Sequence, residues 1–141
     1  MSVNDALILD DRVRCGITLA GLSRASALDE ARRAERRGFE SLWVTDHLAF
    51  HLPITDALTL LGFAAAVTER VTLGTSIYLL PLRPAAMVAK QAASVDLLSG
   101  GRLVLGVGVG GEYPPEFEAA GVPIRERGSR LEEAIPLLRR L

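Results

Sequence analysis

An Asp-His pair, Asp46-His47, directly follows the apolar run at residues 41–45 and is the sharpest chemical signal in this chain. A histidine at the end of a buried strand can hydrogen-bond a ligand or move a proton near neutral pH. An adjacent aspartate can fix its tautomer or anchor the turn. His51 completes an H-x-x-x-H spacing, which suits a metal pair on a helix, but Pro53 follows and no third ligand is evident, so no metal is expected. Thr75-Ser76 ends another apolar run with two hydroxyls, able to bond ring carbonyls or phosphate, or simply to satisfy their own turn. Gly106, Gly108 and Gly111 fit a G-x-G-x-x-G string. A dinucleotide site needs that string in a turn leading straight into a helix, with an acid at the end of the next strand. Pro114-Pro115 interrupt the turn here, and the preferred use of these glycines is close backbone approach to a flat ring or a bend at a sheet rim. Glu112 follows them as a candidate proton donor, and Arg127 and Arg130 open the last helical stretch as candidates to hold a phosphate or an acid.

The elements that must position these residues follow a strand-helix rhythm. Strands are expected at residues 14–19, 41–45, 71–75 and 102–109. The last two are nearly continuous in Val and Leu, as strands covered on both faces read. Between them residues 84–99 form a helical pattern, with Pro84 in its first turn, an apolar face of Met87, Val88, Gln91, Ala92, Val95 and Leu98, and a stop at Gly100-Gly101. An earlier helix starts with Ser26 as its cap and shows Ala27, Leu28, Ala31 and Ala34 on one face. Another runs from Asp56 to about Thr68. Pro81 and Pro84 bracket a loop, a short segment follows at residues 116–120, and a last helix begins near Glu126. Alternating strands and helices with short connections imply a parallel sheet in an α/β fold, either an open doubly wound sheet or a (β/α) barrel.

The totals narrow the function classes. Residues 1–13 look like a lead-in and 14–141 like one domain, with no composition shift to mark a second. A formal net charge of -1 from 16 basic and 17 acidic residues leaves no nucleic-acid footprint. Lys90 is the one lysine, and the arginines are scattered through every segment. No run reaches the roughly 18 apolar residues of a membrane span, and acids flank the first apolar run, so neither a membrane anchor nor a secretory signal is expected. Cytoplasmic location follows as the default. The lone Cys15 excludes an internal disulfide and is expected to pack as a small buried residue on the first strand.

Several segments in sequence resemble the luciferase-like monooxygenase family, whose members use FMN or the deazaflavin coenzyme F420. These are Gly38-Phe-Glu-Ser-Leu-Trp-Val-Thr-Asp-His47, Val71-Thr-Leu-Gly-Thr-Ser76, Pro81-Leu-Arg-Pro84 and Lys90-Gln91. Asp96-Leu-Leu-Ser-Gly-Gly-Arg102, Leu105-Gly-Val-Gly-Val-Gly110, Glu116-Phe117 and Arg127-Gly128 continue the series. The resemblance implies a TIM-barrel lineage with a flavin ring at the C-terminal ends of the strands. It puts Asp46 and His47 beside the reactive ring. It starts a bulge with a non-prolyl cis peptide at Ser76-Ile77 after Thr75, and it gives Gly108 and Gly110 the role of letting the backbone approach the cofactor. Some members place a catalytic Glu directly after strand four, where this chain has Gly111, with Glu112 one place later.

The expectation is a flavin- or deazaflavin-dependent oxidoreductase of this class, with His47 handling protons and Asp46 orienting it, acting on a small organic substrate by hydride transfer or monooxygenation. A barrel of this type usually takes about 250 residues. With about four strands, this chain is expected to be a half barrel, completed by a missing C-terminal half or by a homodimer. A non-catalytic flavin-binding or assembly half-barrel is the alternative from a different class, and a nicotinamide-binding fragment built on the glycine string is a third.

Overall fold

The computed structural model describes residues 13–20 and 23–140. All but the last residue of the expected lead-in lies outside them. Four strands, β1 (Gly16–Thr18), β2 (Ser41–Val44), β3 (Thr72–Leu79) and β4 (Leu103–Gly108), form one sheet in the order β1-β2-β3-β4. Every neighbouring pair is parallel. Helices α1 (Arg24–Arg36), α2 (Ala57–Ala65) and α3 (Ala85–Ser99) fill the crossovers, and a short α4 (Pro115–Ala119) and α5 (Arg127–Leu138) follow β4. A strand order that never reverses, with crossovers of one hand, puts all helices on one face. This is the winding of a barrel arc, and it decides against the doubly wound alternative, whose order reverses at a switch point.

Residue alternation assigns the two faces. Leu42, Val44 and Leu73 point into the helix layer, where they pack with Ala27, Ala31, Ala34, Leu58, Leu61 and Val88. Burying each Leu or Val side chain here contributes about 1.5–3 kcal/mol. The opposite, concave face carries the row Thr18, Trp43, Gly74 and Val104. The Trp43 indole donates to Ser41 Oγ at 2.8 Å and lies over two strands that supply glycine there. A Cβ at Gly74 would collide with the indole ring, and one at Gly16 with Ser41 Oγ and the indole nitrogen. A second cluster of Leu79, Leu82, Phe117 and Val122 seats α4 against the end of β3.

Several expectations need correction. The third strand does not stop at Thr75 but continues to Leu79 through a register irregularity between Thr75 and Tyr78, and the segment read as a loop after it begins with a 3-10 turn at Leu80–Leu82. Ser23, not Ser26, caps α1: its hydroxyl accepts from the Ser26 N–H while the Ser26 hydroxyl accepts from the Ser23 N–H, a capping box one turn earlier than expected. In α3 the inward residues are Val88, Ala89, Val95 and Ser99, whereas Met87 and Leu98 face out. Pro84 is the residue before that helix, and Gly100, at φ 77°, ends it in the left-handed region that suits glycine. Cys15 is exposed rather than buried, because it precedes β1, an edge strand whose three residues are all exposed.

Two polar clamps lock the N-terminal ends of the strands, away from the Asp-His pair. The Glu35 carboxylate at the end of α1 accepts the backbone N–H groups of Glu69, Arg70 and Val71 that lead into β3. Partial burial raises its pKa, but those N–H donors and the nearby Arg70 charge outweigh that and hold it below the usual carboxylate range. Arg102, just before β4, donates to the carbonyls of Ala65, Thr68, Val71 and Ser99 and to Thr68 Oγ1. Its side chain ties the end of α2, the start of β3 and the end of α3 to one point.

Arg102→Met is expected to lower stability by about 2–4 kcal/mol, since several carbonyls lose a charged donor together; urea unfolding followed by circular dichroism measures it. Glu35 predicts an acid-sensitive limb. A carboxyl whose folded pKa is depressed contributes stability that is full above its unfolded value, about 4.3, and is lost as pH falls through the folded value. Glu35→Gln should therefore flatten the loss of stability below about pH 4.3 and lower stability at pH 7, which unfolding midpoints across that range will show.

Candidate functional site

At the opposite, C-terminal end of the sheet the backbone splits the Asp46-His47 pair. The alternation that sends Leu42 and Val44 inward also buries Asp46, which turns toward the end of β3. There its carboxylate takes a two-pronged hydrogen bond from the Arg83 guanidinium, 2.6 Å to Oδ2 and 2.9 Å to Oδ1, and Oδ2 also accepts the Leu79 N–H at 2.9 Å. The pair is charge-assisted and bidentate, the strong form of such a contact. Burial alone would depress the Arg83 pKa; the hydrogen bond and charge of Asp46 outweigh it and raise that pKa. Arg83 sits 4.4 Å from the centroid of the Tyr78 ring, and burial pushes the Tyr78 phenol up to about 12.

His47 faces the other way, into the loops. Its Nδ1 lies 3.2 Å from Glu116 Oε2 and its Nε2 3.3 Å from Glu112 Oε1. Glu116 is fully buried on α4, and its Oε2 also accepts the Leu48 N–H at 3.2 Å. Glu112 is mostly exposed. Phe50 stacks on the His47 ring at 3.9 Å between centroids and 15° between planes. His51 does not join His47 but packs against Phe50 and Tyr113. Among the described residues no group of three or more His, Cys, Asp or Glu is arranged to hold a metal ion.

The remaining candidates divide into support and surface. Thr75 is buried and its hydroxyl donates to the Gly106 carbonyl at 2.8 Å, so it braces β3 on β4 and does not reach outward. Ser76 and Ile77 stand exposed where the strands open, and the peptide between them is cis. The Ile77 side chain fills the space that a Cβ on Gly108 would need. The missing side chain of Gly108 thus makes room for Ile77. Gly110 has φ 63°, turns the chain after β4, and packs on Leu79 and Phe117. Arg127 and Arg130 hold backbone carbonyls, those of Ile124 and Pro81 respectively.

Two central residues, Glu116 and Arg83, have no assigned role in the sequence reading. They belong to the segments Glu116-Phe117 and Pro81-Leu-Arg-Pro84, but their partners lie 69 and 37 positions away. No local spacing joins them.

The parallel barrel arc that carries these residues has counterparts among known proteins. Residues 7–141 match the family model described as luciferase-like monooxygenase. The chain belongs to that family. It is 40% identical over 126 residues to an F420-dependent glucose-6-phosphate dehydrogenase of Intrasporangium calvum, covering 81% of this chain and 37% of that protein. Among solved structures, a monooxygenase from Streptomyces bottropensis superposes with a TM-score of 0.79 at 30% identity, covering 91% of this chain and 42% of that one. An F420-dependent secondary alcohol dehydrogenase in complex with an F420-acetone adduct gives a TM-score of 0.77 at 28% identity, covering 91% and 41%. The chain thus spans under half the length of these luciferase-like relatives, and its four strands are a half barrel.

The site geometry makes Asp46 a stability determinant. Asp46→Ala leaves the largely buried Arg83 guanidinium with the half-exposed Asp56 carboxylate, 3.9 Å away, in place of a two-pronged partner and is expected to cost about 3 kcal/mol. His47→Ala takes from the enclosed Glu116 carboxylate a single hydrogen bond instead of a two-pronged one and should cost less, about 1–3 kcal/mol. Paired chemical-denaturation curves test the contrast, and equal losses would assign the two neighbours the same structural weight.

Proposed function

We propose that this chain carries the proton-handling half of a luciferase-like oxidoreductase site that uses F420 or FMN and acts on a small organic substrate. The observation that carries the reading is His47, held between two carboxylates at the strand mouth where Ser76 and Ile77 are exposed. Its substrate chemistry is hydride transfer or monooxygenation, and the cytoplasm is the compartment that suits the single unpaired cysteine.

The residues present fit such a cofactor. Ile77 and Val104, 43% and 46% exposed, offer apolar surface on the concave face, and the Ser76 hydroxyl stands beside them unburied. A flat apolar ring with a polar edge is the kind of ligand that surface would hold. Flavin or deazaflavin, when bound, supplies the two-electron chemistry that no side chain here can perform. This chain's part is to support, orient and move a proton. Thr75, bonded to Gly106, braces β3, and the Asp46–Arg83 pair fixes the end of β2 against Leu79. His47 handles the proton that accompanies oxidation or reduction of the substrate. The name of the Intrasporangium calvum relative and its F420 dependence favour the deazaflavin.

Among the described residues both outer strands, β1 and β4, have one unpaired edge. Exposed strand edges invite pairing, so closure by a second half, or by a second copy of the chain, belongs to the proposal. A half-barrel that binds a flavin without turnover is the second reading, favoured by the same unpaired edges.

Titrating the purified chain with F420 and following its fluorescence, with FMN as competitor, tests the proposal. Saturable F420 binding that FMN does not displace supports a deazaflavin site. Failure of either to bind removes the claim that these residues suffice for a ring site. In a cofactor-bound form that turns over, His47→Ala should cut turnover about 100-fold or more with cofactor binding retained; unchanged turnover removes His47 from the chemistry.

A further inference from the structure

The His47 ring is restrained on three sides. Phe50 stacks on one ring face, buried Glu116 meets Nδ1, and only Nε2 looks toward a group that water can reach, the exposed carboxylate of Glu112. Two carboxylates at one imidazole are not equivalent when one is sealed and the other solvated.

We propose that Glu116 is a positioning residue that fixes His47 with its proton on Nδ1, so that Nε2 is the nitrogen that takes up and releases protons. The proposal rests on the reading of His47 as the proton-handling group. Glu116 Oε2 accepts the Leu48 N–H, so that oxygen already serves as a hydrogen-bond acceptor. Nδ1 therefore fits as a second donor to the same oxygen. Glu116 cannot turn to water for a substitute, since its side chain is fully enclosed, and its Oε1 is already buried without a hydrogen-bond partner among the described residues. Giving up the His47 contact would deprive a second buried oxygen of part of its bonding.

The opposite nitrogen follows by elimination. In the neutral ring, a proton on Nδ1 leaves Nε2 as a lone-pair acceptor. When Nε2 gains a proton, Glu112 Oε1, 3.3 Å away, becomes its acceptor, and because Glu112 is 74% exposed it can yield that place to a substrate oxygen or to water. Glu112 and Glu116 are the charged groups the structure sets against this ring, and they divide the work: one orients, the other exchanges. Phe50 fixes the plane in which both contacts are made. This second role differs from the sequence expectation, in which Asp46 orients His47; both Asp46 oxygens are engaged by Arg83 and Leu79.

The chain has two histidines, so nitrogen-15 NMR of its imidazoles reads the assignment directly, with His51→Gln separating the two sets of signals. The spectrum is taken on the alkaline plateau of a pH series, where the imidazole signals no longer move. The expected result is a protonated, pyrrole-type Nδ1 and a bare, pyridine-type Nε2 for His47. Glu116→Gln, whose amide oxygen can still accept, should keep that pattern. Glu116→Leu should reverse the majority form to the proton on Nε2. A proton on Nε2 in the folded wild-type chain overturns the proposal, as does an unchanged pattern in folded Glu116→Leu. If Glu116→Leu does not fold, the wild-type spectrum alone decides. No cofactor enters this experiment. Loss of the flavin reading would leave the nitrogen assignment where the spectrum puts it, and a proton on Nε2 would remove the role of Glu116 while leaving F420 binding to its own titration.

Discussion

The contact on which the site depends is the buried pair of Asp46 and Arg83. A buried ion pair is not by itself a source of net stability, because removing both charges from water costs several kcal/mol that their attraction only partly returns. What it supplies here is position. Asp46 ends β2, and Leu79 and Arg83 lie at and just beyond the end of β3, so the three bonds from one carboxylate set the relative height of two neighbouring strand ends. His47 is the next residue along, and its placement between Glu112 and Glu116 presupposes that height. Adjacent residues in an extended chain point to opposite sides, which is why one member of the Asp-His pair could be used for the frame and the other left for chemistry.

The same division runs through the rest of the sheet. In β2 and at the start of β3 the side chains on the helix side are aliphatic and enclosed, as Leu42, Val44 and Leu73 are. On the concave side glycine recurs: Gly16 and Gly74 accommodate Trp43, and Gly108 accommodates Ile77. Large side chains there lie flat across neighbouring strands instead of standing up from their own. The strand therefore opens at its C-terminal end with its backbone and Ile77 near the surface. Polar clamps at the other end, through Glu35 and Arg102, tie helices to strand starts and have no bearing on ligand chemistry. The Glu35 and Arg102 clamps thus hold the end of the sheet away from the site, while the Asp46–Arg83 pair holds the end that carries it.

What the sequence made legible was whatever is encoded locally. The apolar runs at residues 41–45 and 102–109 locate β2 and β4 within one residue at each end, and Gly100 marks the end of α3. Strand β3 was legible only as far as Thr75, because the irregularity at Ser76-Ile77 breaks the two-residue alternation and Pro81 and Pro84 read as loop. In α3 the composition is apolar nearly all round, so helical spacing fits more than one face: it points Met87 and Leu98 inward, whereas Ala89 and Ser99 are the residues that pack with Val88 and Val95. The capping box was visible as serines but set one turn late. Glu116 was legible as a letter and not as a function: its partner is 69 positions away, and only the packing of Phe117 with Leu79 and Val122 brings it to His47.

That last dependence explains why a five-residue helix matters so much. A segment as short as α4 has no stability of its own, and its place is fixed by Phe117 in a small apolar cluster separate from the main core. The cluster contains Leu79, whose N–H is one of the donors to Asp46. The frame that holds the end of β2 and the seat that holds Glu116 consequently share a residue. A change that loosens Leu79 acts on both at once: it releases a donor from Asp46 and shifts the platform on which Glu116 meets His47. The two carboxylates never touch, yet their geometry is coupled through packing, and the spacing of His47 to its buried partner is set by the hydrophobic cluster as much as by the charges themselves.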